Sequence, residues 1–360
     1  MMTTYQFLLS PIKIGDLTAA NRIVMPPMVI YQAGDDGLVT EKHIEHYKRC
    51  AGPGLVIVEG TAVLPEGRIS RRQLGIYSER HIEGLGQLSK IIHENGAIAA
   101  IQIHHAGALA YIEKKGSRSK RLMLAILRWC RQQLMVSNLG RIREAFKAAS
   151  RRAVEAGFDI IEIHAAHGYL FSQFLSPLKN WRIDGYGGKI ENRRRLLFEV
   201  FRDIRSEVAG KALVTCRLGV ADGHRRGLPL SEGLSTASEL EKEGAEVLDI
   251  SSGSGTPSNI RPQGSPFSGR LHLARAAKLE LSIPVIGGGG VFYPDLAEKA
   301  LKEGMADMIF VGRGILADPG WARKTIEGRP EAIVLCRTCN GCFYHSDPTK
   351  CPARKKLSRS

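Results

Sequence analysis

The stretch DIIEIHAAHGYLF (residues 159–171) decides the fold. Ile160, Ile161 and Ile163 make a short β-branched run there, the pattern of a strand buried on both faces of a parallel sheet. The run then breaks into His164, His167, Gly168 and Tyr169, a concentration of polar chemistry at the carboxyl end of the strand. Runs of the same kind recur at residues 22–25, 54–59, 97–103, 212–218, 246–250, 283–286 and 307–311. Amphipathic stretches lie between them, at 81–94, 142–155, 191–207, 232–243, 294–302 and 321–327. Alternating strand and helix implies right-handed crossovers, hence a doubly wound sheet or a closed barrel. Eight strands favour the barrel, and so do the residues at their carboxyl ends. Pro27 and Met28, Gly60, His104 and His105, Arg217, Ser251 and Ser252, the run Gly287 to Gly290, and Gly312 with Arg313 all sit there. A (β/α)8 barrel spreads its site over every strand end in this way, whereas a doubly wound sheet gathers it at one switch point. We therefore expect an α/β fold, a (β/α)8 TIM barrel over residues 1–332 followed by a short Cys-rich extension at 333–360.

The chain has 360 residues, 43% of them hydrophobic and 24% charged, with a mean hydropathy of −0.13, the composition of a globular protein. No apolar run reaches the roughly 18 residues of a membrane span, and the first ten residues do not read as an export signal. The expected location is the cytoplasm. The formal net charge is +15, but ten of those charges sit in two stretches, net +6 over residues 113–131 and +4 after Cys351. Only 6% of residues are aromatic. A nucleic-acid partner would call for a basic face interleaved with aromatics, so solvated loops explain the charge better and no such partner is expected.

The glycine run at 287–290 and the later Gly312-Arg313-Gly314 come after the seventh and eighth strands. Barrels hold phosphates there, because bare backbone N–H groups can approach the anion. Arg313 adds a guanidinium suited to bidentate phosphate binding. His164 and His167 form an H-x-x-H pair without a third ligand nearby, a poor zinc site.

Three longer motifs, PIKIGDLTAANRIVMPP (residues 11–27), IEIHAAHGYLFSQFLSP (161–177) and NWRIDGYGGKIENRR (180–194), resemble the Old Yellow Enzyme family of FMN-dependent oxidoreductases. The resemblance runs through most of residues 5–330 and implies a TIM barrel with FMN on its carboxyl face. Carried over residue by residue, it implies that Gly289, Gly290, Gly312 and Arg313 hold the FMN phosphate. It implies further that Arg217 lies beside flavin N1 and O2, where a fixed cation stabilises the reduced ring. Gln102 would hydrogen-bond the ring edge, with Pro27 and Met28 running along it and Gly60 completing the cofactor set. His164 and His167 would grip the oxygen of an activated alkene, and Tyr169 would protonate the adjacent carbon. Tyr31 matches a substrate-side tyrosine in some members, with aromatic packing an equal alternative. His104 and His105 read first as satisfied core groups. Val29 stands where many members have threonine or cysteine near flavin O4; lacking a donor, it implies a lower potential.

Two regions depart from the family pattern. Residues 111–139 are basic and do not align, with helical apolar spacing at 122–136; a lineage-specific lid and a locally shifted reading frame both account for them. The tail carries Cys336-x2-Cys339-x2-Cys342-x8-Cys351, four soft ligands that suit a 4Fe–4S cluster or, alternatively, zinc. The spacing resembles the iron–sulfur branch of the same family, which includes 2,4-dienoyl-CoA reductases and trimethylamine dehydrogenase. There a second flavin domain comes after the motif, and here nine residues come after Cys351. Electrons are then expected from NAD(P)H directly or from a separate electron-transfer protein. The expected activity is FMN-dependent reduction of an activated C=C bond in a small molecule. The alternatives are amine oxidation, a dienoyl-CoA reductase-like reaction, or a non-catalytic electron-transfer subunit. The sequence leaves homo-oligomerisation open.

Overall fold

Successive side chains of each strand sort into two separate cores, as a two-residue period requires when both faces are covered. A computed structural model describes residues 5–111, 138–340, 342, 344 and 350–357. In it β3 (Ile23–Met25), β4 (Leu55–Ala62), β5 (Ile98–His104), β6 (Ile160–Ala165), β7 (Leu213–Gly219), β8 (Leu248–Ser251), β9 (Val285–Gly288) and β10 (Met308–Phe310) form a closed parallel barrel. Each strand pairs with the next, and β10 returns to β3 through Ile309 opposite Ile23. All eight strands lie close to the runs expected from sequence, and the (β/α)8 architecture holds.

Ile57, Ala100, Ile160, Val247, Ile286 and Met308 fill the barrel lumen. The intervening residues, among them Val56, Ala99, Ile161 and Val214, face the helices in a second and larger core. The hairpin β1 (Ile12–Ile14) and β2 (Leu17–Ala19) plugs the amino-terminal mouth, its apolar residues joining the lumen cluster. With that end sealed, the carboxyl end is where the strand termini can present polar groups.

The surrounding helices are α1 (Glu41–Arg49), α2 (Ile82–Glu94), α3 (Leu139–Glu155), α4 (Leu170–Leu175), α5 (Ile190–Arg193), α6 (Arg195–Val208), α7 (Leu230–Lys242), α8 (Gly269–Lys278), α9 (Pro294–Lys302), α10 (Gly312–Ala317) and α11 (Trp321–Ile326). A further helix, α12 (Pro352–Leu357), lies in the tail. Side-chain caps fix two starts: Asn138 accepts from the Arg141 N–H, and Ser268 from the Leu271 N–H. Among the described residues no helix is long and apolar enough to cross a membrane. The helical spacing expected at 122–136 lies outside the described residues.

The tail is fastened to the barrel by one small cluster. Ile30, Leu316 and Tyr344 are buried together, with Met28, Cys342 and Cys351 packed against them. Arg354 Nε donates to the Leu316 carbonyl at 2.7 Å, and its guanidinium lies 5.4 Å from the centre of the Tyr344 ring.

Candidate active site

The carboxyl end of the barrel opens into a pocket of about 380 Å³. Its floor is a polar layer laid down by adjacent strands. Gln102 on β5 donates through Nε2 to Glu162 Oε1 on β6 at 2.7 Å. Arg217 on β7 stands beside Asp249 on β8, with Nε 3.2 Å from Oδ2. The barrel register sets Arg217 opposite both His164 and Asp249. The other face of the Arg217 guanidinium lies 4.9 Å from the centre of the Phe310 ring.

One wall is built by the loop after β6. His167 and Gly168 take left-handed conformations in succession, with φ of 59° and 76°. For histidine this conformation is costly, about 1–3 kcal/mol. It is held by the His167 N–H bonding the Ser252 carbonyl (3.0 Å) and by the Gly168 N–H bonding Ser172 Oγ (3.1 Å). The sharp turn brings His164, His167 and Tyr169 onto one surface. His164 Nδ1 accepts from the Ala166 N–H, so the neutral ring carries its proton on Nε2. That nitrogen stands 3.4 Å from His167 Nδ1, while His167 Nε2 is 2.8 Å from Ser251 Oγ. If the serine hydroxyl donates, the His167 proton sits on Nδ1 and two N–H groups converge on one point. Burial drives both imidazoles well below their usual pKa, with His167 and His104 adding to the effect at His164 and Arg217 and Arg270 at His167, so both are neutral. Burial also raises the Tyr169 phenol, with Tyr31 adding to the effect. It therefore keeps its proton.

The opposite wall is the loop after β3. Tyr31 sits there at φ 55°, and the preceding Ile30 N–H donates to Glu59 Oε2 at 3.2 Å. Glu59 is fully buried beside His43 of α1, and burial pushes its carboxyl up to about 8. Gln73 holds the next strand end, donating to the Gly60 carbonyl at 2.5 Å.

The rim is cationic and glycine-rich. Gly289 and Gly290 have φ of 104° and 73°, a region in which other residues are strained. A Cβ on Gly312 would stand 3.3 Å from Met28 Sδ, and one on Gly60 would stand 3.2 Å from Gln102 Oε1. Trp321, wholly buried, donates from Nε1 to the Phe292 carbonyl and so ties this loop to α11. Arg313 lies 5.3 Å from the Phe292 ring centre. Arg270, at the start of α8, lines the same pocket. Its pKa is lowered by burial and by Arg217 and Arg313. Among the described residues neither Arg270 nor Arg313 is in an ion pair, so the pocket keeps a net positive field suited to an anion.

This set fits flavin mononucleotide. Glycines at positive φ and two uncompensated guanidiniums suit its phosphate, while the Arg217 guanidinium, which lines the pocket while its Nε faces Asp249, suits an electron-rich ring edge. Every sequence-derived cofactor and substrate residue lines this one pocket: Pro27, Met28, Tyr31, Gly60, Gln102, His164, His167, Tyr169, Arg217, Gly289, Gly290, Gly312 and Arg313. Val29 lines it too. His104, read first as a core group, is both buried and pocket-lining, its ring 4.6 Å from that of Tyr169. His105 turns away, its Nδ1 accepting from the Gly107 N–H. Sequence reasoning missed Arg270, Gln73, Phe292 and Phe310, none of which belongs to a motif; the Ser268 cap was the one signal near Arg270.

The tail differs from expectation. Cys336, Cys339, Cys342 and Cys351 are free and partly buried. Among the described residues no group of three or more His, Cys, Asp or Glu side chains is placed to hold a metal ion. Cys342 and Cys351 pack on the Tyr344 cluster.

The family model described as NADH:flavin oxidoreductase / NADH oxidase matches residues 7–332. An NADH oxidase of Thermoanaerobacter brockii is 37% identical over 352 residues, covering 95% of this chain and 54% of that protein. An NADPH dehydrogenase of Halalkalibacterium halodurans is 40% identical over 338 residues, covering 93% of this chain and 96% of that one. Among solved structures, a 2-naphthoyl-CoA reductase in complex with 2-naphthoyl-CoA superposes with a TM-score of 0.81 at 27% identity, over 95% of this chain and 56% of its own. The chain thus spans about half the length of the oxidase and of the reductase. A 95% match leaves only about 18 of 360 residues uncovered, so the oxidase match extends past Cys336 and Cys339.

Proposed function

Because this chain belongs to the NADH:flavin oxidoreductase / NADH oxidase family, we propose that it is an FMN-dependent oxidoreductase that uses NAD(P)H to reduce the activated C=C bond of an α,β-unsaturated carbonyl compound. The observation that carries the proposal is the facing pair His164 Nε2 and His167 Nδ1, 3.4 Å apart, beside a buried protonated Tyr169. With the Ser251 hydroxyl donating to His167 Nε2, both rings carry an N–H on this side, and a carbonyl oxygen seated beside the pair can accept from both. Bound there, the oxygen draws electrons from the conjugated double bond, and the two donors stabilise the charge that develops on it. Bound FMN supplies the hydride chemistry. Arg217 offsets negative charge at the ring edge, and Arg313 and Arg270 hold the phosphate. Tyr169 delivers the proton to the substrate carbon, which its raised pKa permits at neutral pH. Ser251 fixes the His167 tautomer, and Glu59 fixes the backbone leading into Tyr31.

Anaerobic stopped-flow tests this directly. NAD(P)H should bleach the flavin, and 2-cyclohexen-1-one should restore its colour. Bleaching by an amine, with no response to an enone, supports amine oxidation instead.

The cysteine tail supports a second electron entry, through a 4Fe–4S centre or, with zinc, a purely structural site. What favours it is the four-cysteine spacing together with the reach of the oxidase match past Cys339. The described residues do not gather the four thiols, and no step is routed through them. Iron and acid-labile sulfide in anaerobically purified protein would support the cluster, and zinc alone would replace it. An electron-transfer protein is the partner such a centre would need.

A further inference from the structure

Beneath the pocket, two carboxyls and one guanidinium are sealed in a single layer. Glu162 and Asp249 are fully buried at 0% exposure, and Arg217 is 7% exposed. Arg217 is the cation that acts on both carboxyls. The remaining groups facing the layer bring no second positive charge. From β5 comes the Gln102 amide, from β6 the neutral His164, and from β10 the Phe310 ring. From β7 comes Thr215, opposite Glu162 in the ladder, its hydroxyl donating to the Val247 carbonyl; the Cys216 thiol, on the outer face of that strand, is held protonated by burial and both carboxyls. Arg270 stands at the exposed rim and acts on Arg217 from there.

Two ionised carboxylates against one cation would leave an unpaired charge in a buried layer, which desolvation penalises. A carboxyl pair in that position keeps a proton. The hydrogen bonding agrees: Glu162 Oε2 and both Asp249 oxygens lack hydrogen-bond partners in the protein.

We propose that Glu162 and Asp249 hold one proton between them at neutral pH, and that this proton couples the charge on bound flavin to solvent pH through Arg217. The coupling rests on the flavin assignment made above; the shared proton does not. Burial raises both carboxyls, and their mutual repulsion raises Glu162 further. The pair loses its proton on the alkaline side of neutrality. Added negative charge on the flavin side of Arg217 draws Arg217 away from the carboxyls and makes the proton harder to lose. Between the pair's pKa with oxidised flavin and its higher pKa with reduced flavin, two-electron reduction by NAD(P)H or an electrode therefore takes up as much as one proton more from water than it does at neutral pH. Below the lower of the two pKa values the proton is already in place and no extra uptake occurs.

Two measurements test this. Infrared spectra of flavin-free protein at pH 7 should show, beyond the band of the buried and protonated Glu59, a second carboxylic-acid carbonyl stretch that belongs to the pair. This second band should be lost in Glu162→Gln and equally in Asp249→Asn, because either change leaves a single carboxylate paired with Arg217. Spectroelectrochemistry of the holoenzyme should show the midpoint potential falling more steeply between the two pKa values of the pair, by as much as one proton per two electrons, with neither variant showing the break. A wild-type protein without the second band overturns the shared proton. A second band that is present while the potential has the same slope in all three proteins overturns the coupling. A second band in protein that binds no flavin removes the flavin assignment and leaves the shared proton standing.

Discussion

The barrel mouth and the cysteine tail place their functional side chains by different means. At the mouth, seven strand ends bring thirteen chosen residues onto one pocket, and ladder register fixes where each strand ends. His164, Arg217 and Asp249 stand together because three paired strands leave them nowhere else to go. Among the described residues of the tail, the four cysteines accompany one short helix, and the buried anchor is Tyr344 rather than any thiol. A closed sheet turns sequence spacing into geometry, whereas an irregular segment needs a ligand or a partner to do so.

The largest test of that contrast removes chemistry from the mouth without touching its frame. Tyr169→Phe should slow flavin reoxidation by an enone about 10²–10⁴-fold while leaving bleaching by NAD(P)H unchanged, measured as separate half-reactions. Equal loss in both half-reactions would place Tyr169 in the frame instead.

Next comes the frame itself. Trp321→Ala empties a wholly buried site and should cost about 3–5 kcal/mol in urea unfolding. It also frees the Phe292 carbonyl, so FMN affinity should fall with stability. Unchanged affinity would mean that the glycine loop does not depend on its packing.

A third test is pH. Burial lowers His43 to about 4, and lowers His46 and His104 to about 3. Their native pKa values lie below the unfolded value, so the unfolded chain binds more protons in acid. Stability should thus be intact above about pH 6.5 and fall as pH drops towards 4, by up to about 1.4 kcal/mol per pH unit for each histidine. Glu59, raised to about 8, works in the opposite sense and removes stability as pH rises through 8. Urea midpoints from pH 4 to 9 should trace a maximum near neutrality, and a flat profile would contradict the buried-histidine wall.

The smallest effect is expected at Val29. A hydroxyl there adds about 1 kcal/mol of hydrogen bonding, or roughly 20 mV for a two-electron couple. Val29→Thr should raise the flavin midpoint by that amount; equal midpoints would remove the argument.

All eight strands were legible because burial on both faces writes them as apolar runs. Helix α1 was not, since its buried face is His43, Ile44, His46 and Tyr47, which reads as a polar segment until Glu59 and the strands are set against it. Arg270 was invisible for a related reason. It enters the pocket from a helix start and belongs to no strand-end motif. His104 was undervalued because a buried neutral imidazole looks the same in sequence whether or not it faces a pocket. The cysteine spacing was legible too, but among the described residues the four thiols are not gathered into one site.

The central claim is that three guanidiniums and the glycine loops hold a flavin across this mouth. Equilibrium titration of the cofactor-free chain with FMN, monitored by quenching of flavin fluorescence, tests it most directly. One FMN should bind per chain, and Arg313→Ala should weaken binding at least tenfold while leaving the fold intact by circular dichroism. A folded chain that leaves FMN fluorescence unchanged would contradict the account.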